Sequence, residues 1–313
     1  MRGTLSYVGQ RLVLIAITTV LVSSIVFVLL HQIPGNAFLN ETRTTPEALA
    51  AHLHHYGLDL PIQQQYVNWV VGVLHGNLGE SLVNRGVQIT PLLIRETSVS
   101  ATVGAFALVV TIGLGLLLGV IAALRQNTWV DYLASSAAVV GYSIPSFVIA
   151  IFGLLIFGHY LFIWTGGSFF YDPGWGKIEQ IPVPALALGL PYASYVARLT
   201  RASMLETIRT DYVRTAWAKG LKARIVVMRH ALRNALIPVV TILGPLITGI
   251  ITGSVVIENI FGIPGLGKEF VTSILARDYN IVIGVFTFYA ALVGLANLTV
   301  DVIYPVLDPR IRY

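Results

Sequence analysis

The sequence predicts an all-α integral membrane protein with six transmembrane helices, both termini in the cytoplasm and a large external loop after the first helix. Three observations carry that prediction. The first is composition: 55% of the 313 residues are hydrophobic and only 11% are charged, against about 25% in soluble domains. The second is a set of apolar runs at about 12–30, 98–124, 133–162, 181–198, 235–257 and 281–300, each long enough to cross a bilayer as a helix. The third is the placement of the basic residues. With both ends inside, the outer segments hold Arg43, Arg85, Arg95, Lys177, Lys268 and Arg277, and the rest of the 20 Lys and Arg fall inside. That is the bias that orients membrane proteins. The chain has no cysteine, which excludes disulfides, a thiolate zinc site and a cysteine nucleophile. The net charge of +5 is accounted for by the inner basic segments, with no nucleic-acid partner expected.

Residues 12–30 make the first span. The run is longer than the apolar core of a signal peptide, about 7–15 residues, and His31-Gln32-Ile33-Pro34-Gly35 stands where an A-x-A cleavage site would lie. A retained span is expected. The external loop, 31–97, contains Pro34, Pro46, Pro61 and Pro91. Short helices are predicted within it at 47–56 and 61–74, where Ile62, Tyr66, Trp69, Val70 and Val73 fall at helical spacing. His52 and His55 are spaced like a metal pair, but no carboxylate joins them at a matching spacing, so they read as surface histidines and no metal site is expected.

The second span, 98–124, carries Gly113, Gly115 and Gly119, small residues that let helices approach closely in lipid. A short inside loop with Arg125 and Asp131 follows. Pro145 is predicted to kink the third span, 133–162. Beside it, Tyr142 and Ser143 either line a translocation path or pack at the kink. The fourth span, 181–198, has Pro182, Pro184 and Pro191 in its outer half and Arg198 and Arg201 at its inner end. The fifth, 235–257, leads to an outside loop, 258–280, and the sixth ends near Asp301.

Between the fourth and fifth spans lies the most basic stretch, a cytoplasmic loop at 205–234. Arg209, Arg214, Lys219, Lys222, Arg224, Arg229 and Arg233 face a single acid, Asp211, over 209–233. Thr210 or Asp211 can open, and Gly220 can stop, a helix of about ten residues. Val213, Ala216 and Trp217 share one face of it, with Arg214 and Lys219 off that face. Such a helix suits presentation to a soluble partner.

The run TDYVRTAWAKGLKARIVVMRHALRNALIP, 210–238, resembles the cytoplasmic EAA loop of ABC importer permeases, in the peptide/nickel branch that takes oligopeptides and dipeptides. By position, Thr215-Ala216-Trp217 stands where that loop has Glu-Ala-Ala, and Gly220 where it has its glycine. The closing Leu-Pro reads Leu232-Arg233, and the proline is delayed to Pro238. The peptide branch is similar in that delay and in its RHAL-type residues, here Arg229-His230-Ala231-Leu232. The stretch YGLDLPIQQQYVNWVVGVLHGNLGESL, 56–82, and the Pro34-Gly35 pair resemble the first external loop of the same branch.

The run from Gly262 to Lys268 matches the phosphate-loop pattern G-x-x-x-x-G-K. Glu269 then stands where a Ser or Thr hydroxyl should bind Mg²⁺, no Walker B pattern accompanies it, and the loop falls on the outer side. The same residues resemble the signature external loop of the peptide permeases, marked here by Glu258, Gly262, Pro264, Gly265 and Gly267. There it implies a structured turn at the outer mouth of the path.

The resemblance implies a type I ABC importer-like fold and a non-catalytic subunit that forms half of a peptide path. It binds no cofactor of its own; ATP and Mg²⁺ belong to two partner ATPase subunits or domains. Coupling to them is carried by Asp211, Val213, Arg214, Thr215, Ala216, Trp217, Lys219 and Gly220. A second homologous permease subunit, an extracytoplasmic substrate-binding protein and a prokaryotic cytoplasmic membrane are implied with it. The plainer reading of the basic residues, Arg224 and Arg229 above all, is anchoring at anionic lipid. An ion-coupled secondary transporter acting as a homo-oligomer is the alternative, but such carriers bury ionisable groups in mid-membrane and these spans nearly lack them. An intramembrane enzyme fits less well, because the Ser, Thr and Tyr residues of the spans have no acid or histidine base at a useful spacing.

Overall fold

The structure, a computed structural model, describes residues 2–33, 46–168 and 171–307. Pro34, Gly35, Arg43 and the tail from Asp308 lie outside the described residues. In the first part of the chain, α1 (Arg2–Gln32), α2 (Pro46–His55) and α3 (Ile62–Leu74) precede the long α4 (Ile89–Leu124). Among the described residues, the segment 31–97 therefore holds the end of α1, two short helices and the first turns of α4. Next come α5 (Trp129–Ser143), α6 (Ser146–Gly153), a π-helical stretch (Leu154–Tyr160) and α7 (Leu161–Trp164). The long α8 (Pro182–Ile208) leads to α9 (Asp211–Ala218) and α10 (Ala223–Ile225), then to a second π-helical stretch (Val226–Ala231). The chain returns through α11 (Leu232–Ala235), α12 (Ile237–Thr241) and α13 (Leu243–Phe261), and ends with α14 (Leu266–Ala276) and α15 (Tyr279–Leu307).

Among the described residues, five stretches are long and apolar enough to cross a membrane: Ser6–Gln32, Ile89–Leu124, Ser146–Trp164, Leu243–Phe261 and Tyr279–Val302. α8 is long enough but less apolar than these, and it carries Arg198, Arg201 and Glu206. Many of its side chains, among them Leu188, Val196 and Met204, are buried against protein.

Several helices run past the bounds read from sequence, and α14 lies within the segment 258–280 read as a loop; at three places a proline or glycine sets the difference. The 133–162 run is two helices, because Pro145 has no N–H and forces the residue before it out of the helix: Ile144 is extended at φ −87°, ψ 122°. The 235–257 run is divided among α11, α12 and α13, since Pro238 and Pro245 cannot donate to the carbonyls one turn back. α13 then continues through Glu258 to Phe261, where Gly262 at φ 70° ends it.

The chain forms two compact units. One comprises Met1–Val99 and Pro264–Leu295. Its core joins Leu78, Ile89 and Leu93 to Leu266, Ile281 and Val285. Gly284 keeps α15 close, since a Cβ there would lie 2.8 Å from Ile89 Cγ2. The buried Asp278 sits at the start of α15, where its carboxylate accepts from the amides of Leu82, Val83 and Ile281, each at 3.2 Å, and from the Ser81 hydroxyl. One side chain thus caps a helix and fixes a turn far away in sequence.

The other unit comprises Ser100–Ile263 and Ala296–Tyr313, and α8 runs through it. A Cβ on Gly119 would lie 2.6 Å from the Ala197 carbonyl oxygen, and one on Gly115 2.7 Å from Val196, so both glycines let α4 approach α8. Gly113, grouped with them by sequence, has nothing within 4 Å. The Thr111 hydroxyl donates to the Gly189 carbonyl at 3.1 Å across the same contact. Glu258 is fully buried on α13 and accepts from Ser100 Oγ at 2.7 Å.

Candidate functional site

At the end of α8 the chain turns at Thr210, which is extended at φ −72°, ψ 152°. Its hydroxyl donates back to the Thr207 carbonyl at 2.6 Å, so the side chain does not cap the next helix. The Thr210 carbonyl starts α9 by accepting from the amides of Val213 and Arg214. α9 closes with Gly220 N–H donating to the Trp217 carbonyl at 2.9 Å, and Gly220 takes φ +70°. A left-handed glycine just past the last turn is a common helix stop.

Val213 and Ala216 are buried against Val226 and Leu221. Trp217, read from sequence as part of that face, is 47% exposed. It lies outside the buried cluster. Val213 and Ala216 therefore hold the helix in place, while Asp211, Arg214, Thr215, Trp217 and Lys219 face outward. Arg214 and Asp211 lie 3.6 Å apart at the surface, a pair that contributes little to stability. Asn234 Nδ2 donates to Tyr212 Oη at 2.7 Å and ties α9 to α11. A second cluster, Ala123, Met204, Ala231 and Ala235, fastens the returning chain to α4 and α8. The result is an exposed aromatic and several charges on a fixed platform.

About two turns before the end of α8, Arg201 grips Asp131 of α5 with one edge of its guanidinium. Nε donates to Oδ1 at 2.6 Å and Nη2 to Oδ2 at 2.8 Å. The Asn127 amide and Ser135 hydroxyl also donate to the carboxylate, which is 1% exposed. The Arg201 hydrogen bonds hold Asp131 down to about 2, against burial, which pushes the other way. On the same helix, Arg198 stacks over Tyr142 at 4.9 Å and Tyr195 at 6.0 Å. Tyr142 is half-exposed, whereas the Ser143 hydroxyl is spent on the Val139 carbonyl at 2.8 Å. Pro145 opens α6.

The residues read from sequence as an external-loop signature take separate positions. Glu258 is in α13, Gly262 ends that helix, Gly265 is the N-cap of α14, Pro264 is exposed and Gly267 is buried. The Gly262 and Ile263 amides donate to the Asn259 and Glu258 carbonyls, so they are not free to cradle a phosphate. Burial, then the charge of Asp278, pushes the Glu269 carboxyl above its usual range. No cluster of metal-ligating side chains occurs among the described residues.

Residues 115–313 match the model of the binding-protein-dependent transport system inner membrane component, and residues 4–90 match the N-terminal model of binding-protein-dependent transport system membrane components. The chain belongs to this family. The dipeptide transport system permease protein DppB of Bacillus subtilis is 40% identical over 307 residues, 98% of this chain and 97% of that protein. The oligopeptide transport system permease protein OppB of Escherichia coli K12 is 40% identical over 298 residues, 95% of each. Among solved structures, an inward-facing form of the MetNI methionine ABC transporter aligns with a TM-score of 0.53 at 19% identity, over 70% of this chain and 98% of that chain. An amino acid ABC transporter aligns at 0.52 and 18% identity, over 71% and 95%. At these identities the likeness concerns the fold, which is that of ABC importer permeases. The chain is a multi-pass inner membrane protein and a transport-system permease subunit.

Sequence reasoning missed the Asp131–Arg201 clamp, the Arg198–Tyr142–Tyr195 stack and the Asp278 cap. Asp131 and Arg201 are 70 residues apart, and each alone looks like an ordinary charge at the end of a span. An aspartate immediately ahead of an apolar helix, as at Asp278, is the one signal that pattern reading can use.

Proposed function

We propose that this permease carries peptides inward as half of a path completed by a second, homologous permease subunit. In this reading α8 also crosses the membrane, as the fourth of six spans in chain order. Two ATPase subunits, which hold the ATP and Mg²⁺, dock on α9, and an extracytoplasmic binding protein delivers substrate. The chain itself performs no chemistry. The observation that carries the reading is α9: a two-turn helix at the foot of α8, backed by Val213 and Ala216, with Trp217, Arg214 and Lys219 outward. The peptide substrate is supported by the DppB and OppB relatives, permeases of dipeptide and oligopeptide transport systems.

Tagged chain purified from its native membrane is expected to bring with it a related permease and ATPases bearing a complete Walker A motif, and the complex is expected to hydrolyse ATP. Trp217→Ala should weaken the ATPase association while leaving membrane insertion unchanged. A homo-oligomer without an ATPase would overturn the proposal and favour the ion-coupled carrier.

A further inference from the structure

We propose that a cleft between α4, α5 and α8 holds an anionic phospholipid of the cytoplasmic leaflet, its phosphate at Arg198 and the start of one acyl chain inside. The cleft has a volume of about 200 Å³. Its wall is mostly apolar, with Leu118, Ala122, Ala134, Ala138 and Val139, and Ser135, Arg198 and Arg201 line it as well. Arg201 spends Nε and Nη2 on Asp131. Arg198 has no carboxylate partner among the described residues; its cation rests on two tyrosine rings. Stacking engages the face of a guanidinium and leaves its N–H edge available for a bidentate phosphate. Two cations against one carboxylate leave the lining positive.

The level is that of lipid headgroups. The uncharged part of α4 ends at Arg125, that of α5 begins after Asp131, and that of α8 ends at Arg198. The boundary between apolar and polar sequence thus passes through the mouth of the cleft. Trp129 and Tyr132, at the same end of α5, are 73% and 65% exposed. Exposed Trp and Tyr at the end of an apolar helix mark the membrane interface. Basic pockets between helices on the cytoplasmic side suit anionic headgroups. The choice of leaflet rests on the topology proposed above; the binding chemistry does not depend on the transported substrate.

The test uses the full importer complex, exchanged into phosphatidylcholine with or without phosphatidylglycerol, washed with mild detergent and weighed by native mass spectrometry. Wild type should retain phosphatidylglycerol in preference to phosphatidylcholine. Arg198→Gln should lower that retention about fivefold. Ala134→Leu, which fills the apolar wall and keeps Arg198, should lower it as well, and it decides the matter should the arginine variant fail to assemble. Equal retention of the two lipids by wild type, or undiminished phosphatidylglycerol in the assembled variants, would overturn the proposal whether or not the complex transports peptides.

Discussion

Gly220 has open space around it, yet its backbone sits at φ +70°. A substitution there meets no steric obstacle from neighbours, so its effect comes from the backbone alone. An L-residue forced into the left-handed region is destabilised by about 1–2 kcal/mol, more for a β-branched one, while asparagine tolerates it. Gly220→Val is therefore expected to unwind the end of α9 and abolish uptake with membrane insertion intact. Gly220→Asn should retain most of the uptake. Uptake assays on both variants, with blots of membrane fractions, check this; normal uptake by the valine variant would remove α9 from the coupling route. The stop itself was legible, because a glycine after a short amphipathic run is a local signal. The outward turn of Trp217 was not, since it depends on Val226 arriving from the far side of the loop.

At the scale of elements, the glycines of α4 separate into two kinds that the sequence does not distinguish. Gly119 faces α8 so closely that a Cβ would lie 2.6 Å from a backbone oxygen, which cannot rotate away. Gly113 faces open space. Overpacking of a tight contact typically destabilises by about 1–3 kcal/mol. Gly119→Val is expected to lower the melting temperature of the purified complex and its yield, and Gly113→Val to leave both near wild type. Similar behaviour of the two variants in a thermal-shift measurement would refute the assigned α4–α8 contact. Apolar runs, prolines and caps act within a few residues, which is why short elements such as α3 and α9 were readable from sequence. The division of 235–257 was missed although Pro238 and Pro245 stand in plain view, because prolines are tolerated in membrane helices and their effect depends on what else satisfies the freed carbonyls.

For the whole molecule, the proposed docking on α9 raises the question of how a push there would reach the proposed path. α8 is unbroken from Pro182 to Ile208, about 40 Å at the usual helical rise. It is one continuous helix, with Pro191 inside it, that meets α9 at one end. Arg201 joins α5 to it through a buried carboxylate that also binds Asn127 and Ser135. Asp131→Asn keeps the size and one acceptor but removes the charge, so α5 should follow α8 less faithfully. The expected outcome is a complex that still assembles and hydrolyses ATP but imports less substrate per ATP. A parallel fall in hydrolysis, uptake and assembly would mark the pair as merely structural. The linkage with pH is a second check. The folded carboxylate titrates at about 2, below the usual value of about 3.9. Its contribution is therefore fully present above about pH 4 and is lost as pH falls toward 2. Across the neutral range the clamp should be insensitive to pH. Below about pH 4, wild type should lose its advantage in thermal stability over Asp131→Asn, and a gap that persisted there would assign the stabilisation to packing and not to charge.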